Sequence, residues 1–168
     1  MIIRATKKVL NLNRIKSVKN DSELNDNLPG EWYVDLISLG KPGKFALHYL
    51  HHPTKFAIII PGRSITKSHP DFKKRVISFL TRNGYDILIK RFELESELKI
   101  YSTNDRGMLA VMNQIKWNSE HHCVNAQSID RINFDWIEDI TINNLFTTKK
   151  TGNKYLMTKN ILDNFLKQ

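Results

Sequence analysis

The sequence predicts an α+β protein in which a small antiparallel sheet carries helices packed mainly on one side. Two observations support this class. Segments with the apolar patterns of strands are concentrated between residues 31 and 61, where turn residues separate them, and helical spacing of apolar residues dominates after residue 69. The 168 residues fit one domain, so residues 1–168 are taken as a single unit.

The first third of the chain contains most of the predicted strands. Residues 1–5 have the pattern of a short strand, and Thr6 is placed to cap a brief helix that begins at Lys7. Residues 16–30 are polar and rich in turn residues, so we expect a loop. The three following strands are predicted to form an antiparallel meander: Trp32–Leu39, Phe45–Leu50 and Phe56–Ile60. The consecutive apolar residues 57–60 indicate a central strand covered on both faces.

The rest of the chain is mainly helical by pattern. A helix is predicted from about His69, ending at Asn83-Gly84. Residues 85–98 fit either a strand or a helix, and both interpretations stay open. A short strand over residues 100–102 precedes the most informative helix, and a loop is expected at residues 121–125. Two further elements are predicted: residues 135–142 and a helix over residues 158–166.

The helix expected to begin near Asn104 has one apolar face. Met108, Met112 and Ile115 fall on that face at helical spacing, so it should be buried. Thr103 and Asn104 can each accept a hydrogen bond from an unpaired first-turn amide, and Asp105 complements the positive end of the helix dipole.

The opposite face of this helix is polar. Arg106, Ala110, Asn113 and Trp117 share it, which places a guanidinium and a carboxamide on the same side with a small residue between them. An anion or a polar strand of a partner could bind there, and an ordinary solvated face would have the same pattern.

Three segments resemble a family of small bacterial proteins known only as a domain of unknown function. They are the opening Ile3-Arg4-Ala5-Thr6-Lys7-Lys8, the strand Trp32-Tyr33-Val34-Asp35-Leu36, and the helix from Thr103 to Asn113. The family's corresponding patterns are R-x-T-x-K, W-x-x-N/D-L and T-x-N-R-S-x-L-G-x-M-N, and the resemblance covers roughly residues 1–117. Gly107 stands where the family usually has Ser, and Ala110 where it has Gly. The resemblance implies a fold and a shared polar site, but no activity.

Composition excludes several classes of protein. With 40% hydrophobic residues the chain belongs to the globular class. The single cysteine, Cys123, excludes a disulfide framework within the chain, and we expect a cytoplasmic protein. No segment has the roughly 20 apolar residues of a membrane span, so no membrane association is expected.

The charge distribution favours an anionic partner. The net charge is +9. Residues 1–20 hold six basic and no acidic side chains, whereas residues 21–35 hold five acidic and no basic ones. Such segregation predicts a positive surface, and polyanions bind such surfaces with a strong dependence on salt.

The patterns of a metal, nucleophile or nucleotide site are weak. His48, His51 and His52 lie close together in the sequence. On a strand, His48 and His52 would share one face while His51 points away, so a histidine pair without a metal is expected. Cys123 beside His121 and His122 is not enough for a catalytic dyad, because such dyads are assembled by the fold.

Acidic patterns are equally weak. Asp135, Glu138 and Asp139 could hold magnesium or form a solvated acidic turn. Asp71 followed by Glu97 imitates a nuclease motif, although Asp71 sits where a helix is expected to begin. The sequence lacks a phosphate-binding glycine loop with its lysine, and we expect no cofactor.

We therefore predict an uncharacterised small basic protein that binds nucleic acid, with RNA or single strands favoured because no helix-turn-helix pattern is evident. Five aromatic residues are candidates for base stacking: Trp32, Tyr33, Tyr49, Tyr101 and Trp117. The candidate nucleic-acid-binding residues are Arg4, Lys7, Lys8, Thr103, Asn104, Arg106 and Asn113.

Two other functions stay open at the level of sequence. A metal-independent endoribonuclease could use the same basic and polar residues, and a protein-binding partner, such as an antitoxin or a subunit of a defence system, would need none of them. A mobile-element, toxin–antitoxin or phage-defence setting fits all three.

Overall fold

The protein is built on a five-stranded mixed sheet with the strand order β4-β3-β2-β1-β5. The computed structural model describes residues 1–18, 29–103, 105–146 and 155–167. The strands of this sheet are β1 (Ile2–Ala5), β2 (Glu31–Ser38), β3 (Phe45–His51), β4 (Ala57–Pro61) and β5 (Lys99–Ser102). A two-stranded ribbon of β6 (Leu145–Phe146) and β7 (Leu156–Met157) lies outside it.

The sheet is antiparallel on one side of β2 and parallel on the other. The meander predicted from the sequence is confirmed, because β2, β3 and β4 pair antiparallel. However, β1 pairs parallel with both β2 and β5. The prediction of a wholly antiparallel sheet is wrong because β1 and β5 reach their partners through long connections, which allow parallel pairing. The α+β class itself is confirmed.

Helices cover both faces of the sheet, which corrects the expectation of one covered side. The helices are α1 (Lys7–Leu12), α2 (Ile65–Arg82), α3 (Arg106–Asn125), α4 (Phe134–Thr141) and α5 (Thr158–Leu166), with 3-10 helices at Asp86–Phe92 and Ile129–Arg131. Trp32, Val34 and Leu36 of β2 pack in one cluster with Phe72 and Val76 of α2. Tyr33 packs on the other face with Met108 and Met112 of α3.

Strand β4 lies at an edge of the sheet, not at its centre as predicted. Its residues 57–60 are nevertheless buried, because α2 and α4 both pack against it. The exposed edge of the strand is closed by a side chain: the amide of Ile59 donates to Glu138 Oε1 of α4 at 2.8 Å. A carboxylate therefore occupies the place of a neighbouring strand.

Helix α2 begins earlier than predicted. Ser64 caps it by accepting from the amide of Lys67 at 3.4 Å, and Pro70 lies within its second turn. Pro70 lies beyond the first turn, whose amides lack intrahelical partners in any case, so α2 lacks one backbone hydrogen bond at this position. The end of α2 at Asn83-Gly84 is confirmed.

Two other sequence predictions are settled by the structure. The ambiguous segment 85–98 contains the 3-10 helix Asp86–Phe92, whose Leu88 and Phe92 are buried, so it is not a strand. Residues 121–125 form the last turns of α3, so the predicted loop there is wrong. Most of the predicted loop over residues 16–30 lies outside the described residues.

Candidate functional site

The carboxyl ends of four strands lie along the same edge of the sheet, the edge that runs across the strand direction. Strands β1, β2 and β5 are parallel, and two antiparallel steps make β4 parallel to β2 as well. The segments that follow these strands therefore lie along one edge. They contain Lys7 and Lys8 after β1, Lys41 and Lys44 after β2, Arg63 after β4, and Thr103 after β5.

The start of α1 and the approach to α3 are in direct contact at this edge. The amide of Thr103 donates to the carbonyl of Ala5 at 3.1 Å. This bond brings the segment of Lys7 and Lys8 beside the segment of Thr103 and Arg106, although almost 100 residues separate them in sequence. Asn104, a further candidate residue, lies outside the described residues.

Helix α3 begins at Arg106, and its cap differs from the predicted one. Asp105 Oδ1 accepts from the amides of Gly107 at 2.7 Å and Met108 at 3.1 Å, so Asp105 is the N-cap and not Thr103 or Asn104. A Cβ on Gly107 would lie 3.2 Å from Asp105 Oδ1. The serine that the resembling family carries at this position would therefore place its side chain at the cap.

The two faces of α3 are confirmed as predicted. Met108, Met112 and Ile115 are buried against Tyr33 and the neighbouring strands. Arg106, Ala110, Asn113 and Trp117 are exposed on the other side. Within the described part of the chain, Arg106 forms no ion pair, whereas Lys116 on the same helix pairs with Asp35.

Arg4 lies inside the protein, which corrects its placement among the surface candidates. Its side chain is 1% exposed, and its Nε donates to Glu31, a carboxylate that is itself fully buried. The second oxygen of Glu31 lies 3.3 Å from His52 Nδ1. Burial alone would raise the pKa of Glu31, but the hydrogen bonds from His52 and Arg4 offset this and lower it. Arg4 therefore acts as a structural counter-charge.

A basic surface, defined here by six exposed side chains, lies along the edge where the strands end. Its members are Lys7, Lys8, Arg14, Lys41, Lys44 and Arg63. Phe45 lies at its centre: Lys8 Nζ lies 5.5 Å and the guanidinium carbon of Arg63 5.7 Å from the centre of the Phe45 ring. The aromatic ring attracts both cations and keeps them close together despite their mutual repulsion.

Backbone contacts hold the basic surface together. The side chain of Asn13 donates to the carbonyl of Arg63 at 2.9 Å and accepts from the amide of Ile65 at 3.0 Å. These bonds fix the residues after α1 against the start of α2. Among the residues that the structure describes, no carboxylate lies within ion-pair distance of the six cations.

Exposed carboxylates are found at the opposite edge of the sheet. Glu93, Glu95 and Glu97 are exposed there, close to the start of β1. The amino group of Met1 donates to the carbonyl of Glu97 at 2.9 Å, and Lys73 pairs with Glu95 at 2.9 Å. Exposed carboxylates and cations thus occur together at this end of the strands, whereas the six cations of the basic surface have no ion-pair partner among the described residues.

Only part of the predicted set of stacking residues is accessible. Trp32, Tyr33 and Tyr49 are fully buried, so their assignment as stacking surfaces is wrong. Tyr101 is half-buried and Trp117 is 69% exposed. Trp136, which is 49% exposed on α4, was not among the predicted stacking residues. The charged residue directly before it, Asp135, was the sequence signal for its exposure.

The histidine and cysteine patterns do not form a reactive site. His48 is buried beside Lys116 and Asp35, and burial together with Lys116 lowers its pKa to about 4. His51 binds Thr54 at 2.6 Å and the carbonyl of Pro29 at 2.8 Å on the other face of the sheet. Cys123 is buried, and burial and Glu120 raise its pKa to about 11, which makes it a poor nucleophile at neutral pH.

The acidic residues of α4 bind arginines. Glu138 lies within 2.8 Å of Arg75 and 2.9 Å of Arg82, while Asp135 and Asp139 pair with the same two arginines. These charges fasten α4 to α2. Within the described ranges, no cluster of three His, Cys, Asp or Glu side chains has the geometry to hold a metal ion.

None of the helices in the described ranges combines the length and apolar character needed to cross a bilayer.

The sequence matches the model of one protein family over residues 2–157. The description of that family is "Domain of unknown function (DUF6933)". The match extends past the segments that carry the resemblance seen in the sequence, and it includes both the basic surface and the whole of α3. A search of curated proteins gives no match. The chain therefore belongs to the DUF6933 family.

Proposed function

We propose that this protein binds nucleic acid through its basic surface, with RNA and single strands preferred to duplex DNA. The observation that carries the proposal is the pair Lys8 and Arg63, both held against the ring of Phe45 with no described carboxylate near enough to neutralise them. Four further exposed cations surround this pair. Phosphate groups would supply the missing negative charge.

Binding a phosphate is more favourable for a cation that has no existing ion pair. A lysine or arginine that already pairs with a carboxylate must give up that pair before it can bind a phosphate. The six cations of the basic surface have no such pair among the described residues, so each phosphate contact adds to affinity through counterion release. Phe45 also restricts two of the side chains in advance, which lowers the entropy lost on binding.

Arg106 and Asn113 extend this proposed interface along α3. Both are exposed, and the contact between Thr103 and Ala5 places the start of α3 beside the segment of Lys7 and Lys8. The guanidinium of Arg106 suits a phosphate, and the carboxamide of Asn113 suits a base edge or a ribose hydroxyl. The sequence-based candidates other than Arg4 and Asn104 are thus retained.

One of the residues assigned to the endoribonuclease alternative is not accessible to a substrate. Arg4 was one of three cations, with Arg106 and Lys7, that could stabilise the developing charge on phosphorus, and Arg4 is buried against Glu31. We expect RNA to stay intact when it is incubated with the protein and a chelator. Fragments that disappear in an Arg106→Ala variant would instead support catalysis.

Fluorescence anisotropy with a labelled 20-nucleotide RNA tests the proposal. Between about 50 and 200 mM salt, affinity should fall steeply, as expected for several phosphate contacts. The double variant Lys8→Gln/Arg63→Gln should bind more weakly at every salt concentration, and the slope of log affinity against log salt should fall by about two units.

A matched control removes two positive charges from residues outside the basic surface. Lys74 and Lys90 are exposed on α2 and on the 3-10 helix after it, and neither is one of the two cations that lie over the Phe45 ring. The variant Lys74→Gln/Lys90→Gln should keep the wild-type affinity to within about twofold, because only general electrostatics changes. Absence of RNA or DNA binding by the wild-type protein at low salt would overturn the proposal. A stable complex with a protein together with that absence would favour the protein-partner alternative.

A further inference from the structure

Four aromatic side chains form a continuous row on the surface of α3 and α4. This aromatic row consists of Trp117, His121, His122 and Trp136. The rings of Trp117 and His121 are stacked, with centres 6.0 Å apart and planes inclined by 22°. His121 and His122 meet edge to face at 5.7 Å, and His122 and Trp136 do so at 4.9 Å.

The two ends of the aromatic row are tryptophans with large exposed areas. Trp117 is 69% and Trp136 49% exposed, whereas Trp32 is fully buried in the core. Scattered single apolar residues are normal on protein surfaces, but joined aromatic groups mark interaction sites. Since His121 covers one face of the Trp117 indole, the exposed area includes the opposite face.

The side chains around the aromatic row fix its geometry. Asn125 contacts His121 Nε2 at 3.0 Å, which orients the imidazole that stacks on Trp117. The amide of Trp136 donates to Asn133 Oδ1 at 3.0 Å, so Trp136 lies in the capped first turn of α4. The rings are therefore presented by two packed helices.

The aromatic row adjoins the basic surface. The turn after β2 approaches α3 so closely that a Cβ on Gly40 would lie 2.7 Å from the Cα of Val124. Gly40 has a φ of +74°, a conformation that glycine adopts without strain. Lys41 and Lys44 follow in the same turn, and Val124 lies one turn beyond His121 and about two beyond Trp117. The turn that carries these two cations of the basic surface thus meets α3 about one helical turn from His121.

Charge decides which ligand suits this surface. The adjoining turn is basic and the chain carries a net charge of +9, so an anionic ligand with exposed aromatic groups is complementary. A single-stranded nucleic acid has both: phosphates for the lysines, and unpaired bases for the indoles. The bases of a duplex are stacked on one another and present only their edges.

We propose that the aromatic row is a base-stacking site for single-stranded nucleic acid whose backbone is bound by the neighbouring cations of the basic surface. This inference rests on the proposed function and names the form of nucleic acid and the side chains that select it. Trp117 and Trp136 stack against unpaired bases, while His121 and His122 hold the two indoles in place.

Intrinsic fluorescence is a direct test, because base stacking quenches indole emission. Titration with oligo(dT) or oligo(rU) of 15 nucleotides should quench the wild-type protein, and a 15-base-pair duplex should quench it much less. The variant Trp136→Phe should retain the quenching that arises from Trp117. Trp117→Phe should retain the quenching that arises from Trp136.

Affinity separates the aromatic row from the basic surface. Trp117→Ala should weaken binding of the single strand about tenfold, as expected for the loss of one stacked base, and should leave the salt slope unchanged. Trp117→Phe should restore most of the affinity, because phenylalanine also stacks. The control Ile87→Ala removes a residue that is 72% exposed on the 3-10 helix after α2, and it should have no effect.

Three results would overturn the inference. If Trp117→Ala and Trp136→Ala bind the single strand as the wild type does, while Lys8→Gln/Arg63→Gln binds it weakly, the stacking site is wrong and the proposed function stands. Equal affinity of the wild type for single strand and duplex would overturn the stacking site together with the preference for single strands, and would leave only nucleic-acid binding by the basic surface. If the wild type binds neither, and Trp117→Ala instead abolishes self-association in sedimentation experiments, both proposals fail and the row is a protein contact.

Discussion

Lys116 Nζ lies 2.6 Å from Asp35 Oδ2, and this ion pair joins α3 to the central strand β2. The other carboxylate oxygen of Asp35 accepts from the hydroxyl of Thr6 at 2.7 Å. Burial would raise the pKa of Asp35, but the hydrogen bonds from Lys116, Thr6 and the Leu36 amide lower it. One carboxylate thus connects the end of β1, the centre of β2 and the middle of α3.

Removing the ammonium group of Lys116 should lower the free energy of unfolding. In Lys116→Met, Asp35 keeps its charge but loses its main counter-ion in a site where its side chain is 12% exposed. We expect the free energy of unfolding to fall by about 3 kcal/mol, as when one partner of a buried pair is deleted. Urea denaturation measures this loss, and the double variant Asp35→Asn/Lys116→Met should recover part of it. A loss in the double variant equal to the sum of the single losses would show that the pair is not coupled.

Glu138 should be the most important carboxylate of α4. Its side chain is fully buried, pairs with Arg75 and Arg82, and accepts from the edge amide of Ile59. Glu138→Gln keeps the shape but leaves two arginines with less negative charge, so we expect a loss of roughly 2–4 kcal/mol.

The control for this variant is Glu95→Gln, which breaks a surface pair. Glu95 is 85% exposed where it binds Lys73, so the loss should stay under about 0.5 kcal/mol. Thermal unfolding of both variants checks the contrast, and equal losses would contradict the assigned role of Glu138.

His48 should make stability depend on pH. Burial lowers its pKa in the folded protein to about 4, whereas the unfolded chain has a pKa near 6.5. Between these values the unfolded state binds more protons, so stability is fully present above pH 6.5 and falls as the pH decreases towards 4. The contribution of His48 to this change in the free energy of unfolding is about 3 kcal/mol.

The variant His48→Leu should remove the contribution of His48 to the pH dependence of stability. The ring nitrogens of His48 have no hydrogen-bond partner among the described residues, so an apolar side chain can replace the ring without orphaning a polar group. Because burial also lowers the pKa of His51, some loss towards acid should persist in the variant. Unfolding curves at pH 7, 5.5 and 4.5 measure the difference, and identical slopes in the two proteins would show that His48 does not titrate in this range.

Arg106→Ala and Asn113→Ala should leave the fold intact. Both side chains are exposed on α3, away from Met108 and Met112, so each variant should change stability by less than about 0.5 kcal/mol. If Arg106 binds a phosphate, its variant should also bind RNA more weakly, with a salt slope shallower by about one unit. Melting curves and salt titrations separate these effects, and wild-type behaviour in both would remove Arg106 from the proposed interface.

Local patterns predicted much of the secondary structure. The helix predicted from about His69 to Asn83-Gly84 matches the body and the end of α2, and the two faces of α3 followed from spacing alone. Both succeed because burial on a helix repeats with a period that the sequence itself displays. Boundaries were less accurate: Ser64 and Asp105 were not recognised as caps because several neighbouring polar residues were equally suitable.

The sequence by itself determined the class of the fold, the excess of positive charge and the polar face of Arg106 and Asn113, because each depends on composition or on neighbours along one element. Tertiary structure decided the fate of Arg4 and the assembly of the aromatic row. Parallel pairing places Arg4 opposite Tyr33, on the face where Glu31 and α3 bury it. The packing of α4 against α3 brings Trp136 to His122. Both depend on contacts between distant segments, and no local periodicity encodes which strands pair or which helices touch.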